Sequence, residues 1–356
     1  MRLPRCTVGF VYNEPCPLKC NFCCHTPENV GPGKLTPENV TPVLIGYAKH
    51  PKVFRFAFTG GDPFVYIKDI LLIMKRARAA GVSQPFHIVT SGYWAKTDEV
   101  VDSLMSELKW LGMDMLYVSY DDEHQKWVPP EYVYRIERAC EKYSVILSVY
   151  GVFWDNRKRV RELLPELKTS FVNETIASPI GRARVNWHLM ATPNLADDVK
   201  YSCGRPLDYD ITIYPNGDTF PCCSGGFNKE AKLKLGNSFQ DEPEEIVGNC
   251  FSNFKAIVAK EIGFHKLLSK IADSSVNVKG IPKFSQISSV CEMCTAIHGS
   301  DGIMESIDSV LTEMEVEHCV TRFTSLLSEG ESPINVTDGE RYGTSNTQQF
   351  RDNQPS

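Results

Sequence analysis

Eight residues constrain this chain more than any others: Cys16-Pro-Leu-Lys-Cys20-Asn-Phe-Cys23. Three thiols lie on one short stretch, with three and then two residues between them. Thiolate is the preferred protein ligand of iron–sulfur clusters, and three close cysteines can ligate three irons of a 4Fe–4S cube. The fourth iron then has no partner from this stretch and can bind another molecule. A zinc loop and structural buried cysteines are the alternatives, although zinc sites usually come as CxxC pairs.

The remainder of the chain bounds the setting of that stretch. With 356 residues it can bury a large core, as one big domain or a domain with a satellite. The net charge of −6 argues against nucleic acid or an anionic membrane as partner. No apolar run approaches the roughly 20 residues of a membrane span. The first five residues lead into a strand pattern and not into a signal-peptide core. The 13 cysteines cluster at metal-ligand spacings, so metal sites in a cytoplasmic, reducing setting are expected in place of disulfides.

Hydrophobic periodicity predicts strands at 5–12, 53–59, 86–91, 115–120, 144–152 and 171–177. Helices are predicted between them at 36–50, 66–80, 97–112, 131–143 and 157–168. Pro42 predicts a kink or restart in the first helix. In the third, Val100, Val101, Leu104 and Leu108 are expected to face inward. Strands alternating with helices imply parallel pairing with right-handed crossovers. Six units are too few for a closed eight-fold barrel. The expected fold class is therefore α/β, a partial (β/α)6 barrel over residues 1–190, with its reacting groups at the C-terminal strand ends. Beyond about 190 the pattern changes. A hairpin is expected at 210–222 around Asn216-Gly217, followed by helical segments near 243–271 and 303–328. Residues 191–328 are expected to form a second domain and the polar stretch 329–356 a disordered tail.

The first cysteine stretch resembles the CxxxCxxC signature of radical S-adenosylmethionine (SAM) enzymes. In that superfamily the open iron holds the amino and carboxylate groups of SAM. Gly60-Gly61-Asp62-Pro63 closes the second strand and resembles the GGEP element that binds the SAM amino group, with Asp in place of Glu. Two glycines there let backbone approach a ligand closely. The same resemblance places Phe22 near the adenine. Ser91, Ser119 and Asp121 would make polar contacts at strand ends, where satisfied caps are the alternative. Pro179-Ile-Gly181-Arg182-Ala183 resembles a Gly-Arg-Ala element of peptide-modifying relatives, and the Arg182 guanidinium could pair with a carboxylate.

A second constellation comprises Cys203, Gly217, Cys222, Cys291 and Cys294. It resembles the first half of the SPASM pattern and the shorter twitch domain, which holds one auxiliary cluster. The resemblance implies ligation by Cys203, Cys222, Cys291 and Cys294, and so two 4Fe–4S clusters in all; a four-cysteine zinc site has the same spacing. Cys223 is then left over beside Cys222 in Pro221-Cys222-Cys223-Ser224. It is either a buried inert thiol or a hydrogen-atom donor, with Cys24 as its chief rival.

Cys-x3-Cys-x2-Cys-Cys, Ser-Gly-Tyr-Trp, Ser-Tyr-Asp-Asp-Glu-His and Pro-Cys-Cys-Ser, in that order, resemble the epipeptide epimerases. These radical SAM enzymes convert L-residues of a ribosomal precursor peptide to D-residues. The likeness runs from about 8 to 297 and implies Cys223 as the hydrogen donor; it suggests Asp210 as a substrate contact, with a hairpin carboxylate facing water as the equal alternative. It also implies an electron donor such as flavodoxin or ferredoxin. Two other readings stay open: a radical SAM enzyme that crosslinks a peptide or dehydrogenates a small substrate, and a non-catalytic iron–sulfur protein.

Overall fold

A computed structural model of the protein describes residues 4–24, 33–155, 159–189, 203, 208–222 and 230–329. The chain divides into two compact units, Arg2–Thr312 and Glu313–Ser356 with Met1. The larger unit is built on one nine-stranded sheet, in the order β6-β5-β4-β3-β2-β1-β7-β8-β9. Its first six strands are β1 (Arg5–Asn13), β2 (Val53–Gly60), β3 (Phe86–Thr90), β4 (Met113–Ser119), β5 (Ile146–Phe153) and β6 (Val172–Ile176). Each pairs in parallel with the next. Helices α1 (Pro37–Ala48), α2 (Ile67–Ala79), α3 (Asp98–Trp110) and α4 (Pro130–Tyr143) provide the crossovers. Strands added in sequential order by right-handed crossovers place their helices on one face. The sheet remains open, as the sequence predicts for a partial barrel.

Side-chain parity separates the two faces. Val8, Phe56, Phe86, Ile88, Leu116 and Leu147 share the helix-facing side through registered pairing and are buried. Phe58 stands between Phe10 and Phe86, with ring centroids 5.9 and 6.1 Å away. Burying each such ring contributes about 1.5–3 kcal/mol. The opposite, concave face carries Thr7, Arg55, His87, Tyr117, Ser148 and Asn173, which the same registers place on one side of the sheet. A parallel sheet covered by helices on both faces would be apolar on both. This one keeps a polar lumen.

Thr36 and Thr97 cap α1 and α3 through their side chains. One helix runs through Pro42 without the expected restart. Val100 is 43% exposed, against expectation, because the buried stripe of α3 is Val101, Met105 and Leu108. Of the helix expected at 157–168 only Val160–Leu163 is helical among the described residues.

The hairpin forms at Asn216-Gly217 but does not stand apart from the barrel. Strand β7 (Asp208–Ile213) pairs in parallel with β1, continuing its sheet, and β8 (Asp218–Phe220) and β9 (Gly236–Asn237) extend it antiparallel. The segment expected as helix near 243–271 is broken at Asn253 and Gly263 into Pro243–Ser252, Phe254–Ile257, a π turn at Val258–Ile262, and Phe264–Asp273. The later segment breaks at Ile307, giving Asp301–Ser306 and Asp308–Glu329. No helix among the described residues is long and apolar enough to cross a membrane. The expected tail at 329–356 lies, but for Glu329, outside the described residues.

Candidate active site

Strand β1 delivers the chain to Cys16 at the C-terminal mouth of the barrel. Gly60 and Gly61 determine how closely β2 meets that loop. A Cβ on Gly60 would lie 2.1 Å from Asn13 O, and one on Gly61 would lie 2.3 Å from Glu14 O and 2.4 Å from Pro15 O. The Gly61 N–H donates to Asn13 O at 2.7 Å. The glycine pair therefore admits the protein's own backbone at close range. Asn13 donates through Nδ2 to Pro15 O (2.6 Å) and Asp62 O (3.2 Å).

The ends of β4 and β6 grip the same loop from the other side. Glu123 accepts from the Asn21 backbone at 3.1 Å and from its side chain at 3.2 Å. The Arg182 N–H donates to Cys23 O at 2.9 Å, and Asn186 Nδ2 donates to Asn21 O at 3.0 Å. Gly181, at φ +56°, allows this approach, since a Cβ there would come within 2.5 Å of Cys23 O. Phe22 is buried with its ring 5.9 Å from His124 and 6.0 Å from Trp154. Thus Cys16, Cys20, Cys23, Phe22 and Arg182 come together. Glu123, His124 and Asn186 join them without having been assigned a role from the sequence. Glu123-His124 stood inside a motif that pointed to Asp121; Asn186 carried no signal.

Asp62 and Asp121, both expected as SAM contacts, are hydrogen-bonded to neighbouring strand ends. Asp62 is fully buried. Its Oδ1 accepts from the Phe64 N–H and Thr90 Oγ1, and its Oδ2 from Thr90 Oγ1 (3.0 Å), the Ser91 N–H (2.8 Å) and Ser91 Oγ (2.6 Å). It thereby ties β2 to β3 and occupies Ser91 as well. Burial raises its carboxyl above the usual range, and hydrogen bonds from Ser91, Phe64 and Thr90 oppose that. Asp121 is also fully buried. Its Oδ1 accepts from the Glu123 and His124 N–H groups and pairs with His124 Nδ1 at 2.8 Å, and its Oδ2 accepts from the Val152 N–H at 3.1 Å. Both carboxylates brace strand ends. Burial works against charge on His124, but the Asp121 bond and the adjacent Cys20 sulfur outweigh it and raise its pKa to about 10. Ser119 is half-buried at the end of β4 on the concave side.

The donor chemistry fits an iron–sulfur cluster with SAM. Cys16, Cys20 and Cys23 are near enough to act on one another electrostatically, and burial pushes the Cys16 thiol up to about 12. Binding iron must therefore displace that proton. Arg182 Nε is buried without a hydrogen-bond partner among the described residues, as is Asn13 Oδ1. One is a spare donor suited to a carboxylate and the other a spare acceptor suited to an ammonium.

The second cysteine set lies at the opposite end of the barrel. Cys203, Cys222, Cys291 and Cys294 line one cleft together with Ala231, Leu233, Ala256, Val290 and Lys260. The Cys203 N–H donates to Ala259 O at 2.6 Å. Cys291 and Cys294 share the helix Val290–His298, capped by Ser289. Burial pushes the Cys294 thiol up to about 12. The four sulfurs border a space; among the described residues no three Cys, His, Asp or Glu side chains converge on a single-ion site. Asp210 on β7 registers with Thr7, near the N-terminal end of β1 and on its concave face. Cys223 lies outside the described residues.

Residues 12–153 match the family model described as the radical SAM superfamily. The match runs from the end of β1 to the end of β5 of the barrel, and members of that superfamily use a 4Fe–4S cluster and SAM. The chain is 22% identical over 307 residues to the "Putative peptide biosynthesis protein YydG" of Bacillus subtilis (strain 168), covering 83% of this chain and 92% of that protein. Its fold is similar to "Native anSMEcpe with bound AdoMet", with TM-score 0.51, 13% identity, and coverage of 87% of this chain and 99% of that one.

Proposed function

We propose that the protein is a radical SAM peptide epimerase that inverts L-residues of a ribosomally made precursor peptide to D-residues. The observation that carries this reading is the pairing of two cysteine sites at opposite ends of one barrel with a polar concave face between them. The relative described as a putative peptide biosynthesis protein supports a peptide substrate. Bound at the mouth, the cluster and SAM would supply the one-electron chemistry that removes a Cα hydrogen atom from the peptide.

The chain's own residues do the rest. Cys16, Cys20 and Cys23 hold the cluster, and the orphaned Arg182 Nε and Asn13 Oδ1 receive the polar groups of SAM. Ser119 and Asp210 face the lumen, where the peptide backbone lies. Cys223, beside Cys222, donates its hydrogen atom to the planar Cα from the face opposite the abstraction, forming C–H and breaking S–H. One further electron and a proton, from a flavodoxin- or ferredoxin-type donor, return the Cys223 thiyl to thiol. Cys203, Cys222, Cys291 and Cys294 would hold a twitch-type second 4Fe–4S cluster, which would supply one-electron chemistry near Cys222.

The test is product mass with residue stereochemistry. Epimerisation leaves the peptide's mass unchanged and yields D-residues; loss of two hydrogens marks the crosslinking or dehydrogenating alternative. The Cys223→Ala variant is expected to keep its iron and its cleavage of SAM yet form no D-residue. Full epimerisation by that variant removes the assigned role.

A further inference from the structure

We infer that Lys260 is the positioning cation of the auxiliary site, setting the reduction potential of the cluster there and linking it to Asp210 on the barrel's concave face. This rests on the reading that the second cysteine set holds a cluster.

Lys260 is 5% exposed and lines the same cleft as the four cysteines. Burying an ammonium is costly unless charge and hydrogen bonds compensate it. Its Nζ donates to Asp208 O at 3.3 Å, lies 3.8 Å from Asp210 Oδ2 and stands 5.4 Å from the centre of the Tyr209 ring. Asp210, itself partly solvated, supplies counter-charge at that distance. Four neutral thiols add little. A cluster held by four thiolates carries net negative charge and supplies further counter-charge inside the cleft.

The local backbone points the same way. Val258–Ile262 is a π turn, which inserts a residue into the helical repeat and recurs at functional sites. Ala259 in that turn accepts the Cys203 N–H, and its neighbour Lys260 enters the cleft. One distortion therefore sets both a proposed ligand and the cation beside it. Asp210 registers with Thr7 on the lumen face, so whatever touches Asp210 there is coupled electrostatically to the auxiliary site through Lys260. A nearby positive charge favours the more negative, reduced state of a cluster.

The test uses the full chain with Cys16, Cys20 and Cys23 replaced by Ala, which isolates the auxiliary site. Iron content and the reduction potential are read by EPR-monitored titration, with Lys260→Met and Lys260→Arg added in turn. The expected result is retained iron in all three proteins, a potential shifted downward by Lys260→Met, and a return to the parent value with Lys260→Arg. An unchanged potential in Lys260→Met with iron retained overturns the inference and leaves the second cluster standing. Loss of iron from both Lys260 variants also overturns it, because a charge-conserving change would then fail for steric reasons. Absence of iron from the parent triple variant removes the second cluster itself and the inference with it.

Discussion

At the mouth of the barrel three cysteines ride on one loop, and polar groups from the ends of β2, β4 and β6 hold that loop by its backbone. At the base, four cysteines from three stretches of chain line an apolar cleft with one buried cation. Strand β1 spans the interval, roughly 25 Å at about 3.3 Å per residue. The mouth is thus built by hydrogen bonds that fix a contiguous motif. The base is built by packing that gathers scattered residues. An open iron needs a loop of fixed shape beside polar groups that orient a co-substrate; a fully ligated cluster needs only its four sulfurs and a shell that excludes water.

Exchanging cysteines for alanines at the two ends should separate them most sharply. Cys16→Ala, Cys20→Ala or Cys23→Ala is expected to abolish 5′-deoxyadenosine formation. Cys291→Ala or Cys294→Ala should preserve that cleavage while losing iron and D-residue formation, as read by iron assay and chromatography of the nucleoside. Equal loss of cleavage at both ends would dissolve the distinction.

Replacing Gly61 by Ala should act almost as strongly, but only at the mouth. The added Cβ meets two backbone carbonyls within 2.4 Å, so the cysteine loop must shift. Iron at the mouth should fall while iron at the base stays, which EPR of the two signals can measure.

Asp62→Asn is expected to destabilise the fold by about 2–3 kcal/mol, since an amide nitrogen cannot accept from the Ser91 and Thr90 donors and leaves them unsatisfied inside the core. Chemical denaturation reads this directly. A change within about 0.5 kcal/mol, ordinary for surface sites, would mean that the carboxylate does not brace the mouth.

The base should show its own, smaller signature in acid. Burial, with Lys255 nearby, pulls His298 from 6.5 to about 3, so it stays neutral in the folded protein. Between those values the unfolded chain binds the extra proton. Stability from this residue is complete above about pH 6.5 and is lost as pH falls, by at most about 1.4 kcal/mol per pH unit. His298→Leu should flatten that slope in melting curves taken from pH 7 to 5, and an unaltered slope would contradict the assignment.

The same contrast explains what was legible in the sequence. The mouth was readable because its cysteines are neighbours in the chain and the strand–helix alternation is local. Hidden there were the partners of Asp62 and Asp121, since a carboxyl at a strand end looks alike whether it faces a ligand or its neighbours. Asn186, 165 residues from the carbonyl it caps, gave no local pattern at all. At the base the cysteine spacings were visible, but the pairing of β7 with β1 joins residues about two hundred apart and no periodicity reports it. Lys260 was invisible because a π turn shifts the helical repeat that a sequence pattern assumes.

In the proposed reaction one hydrogen atom leaves the peptide Cα and another returns to it from the Cys223 thiol. Reaction in deuterated water, with the peptide product analysed by mass spectrometry, measures that return, because a thiol exchanges its hydrogen with solvent. One deuterium on each inverted Cα, absent with Cys223→Ala, is the predicted result. Inverted residues carrying only protium would contradict it.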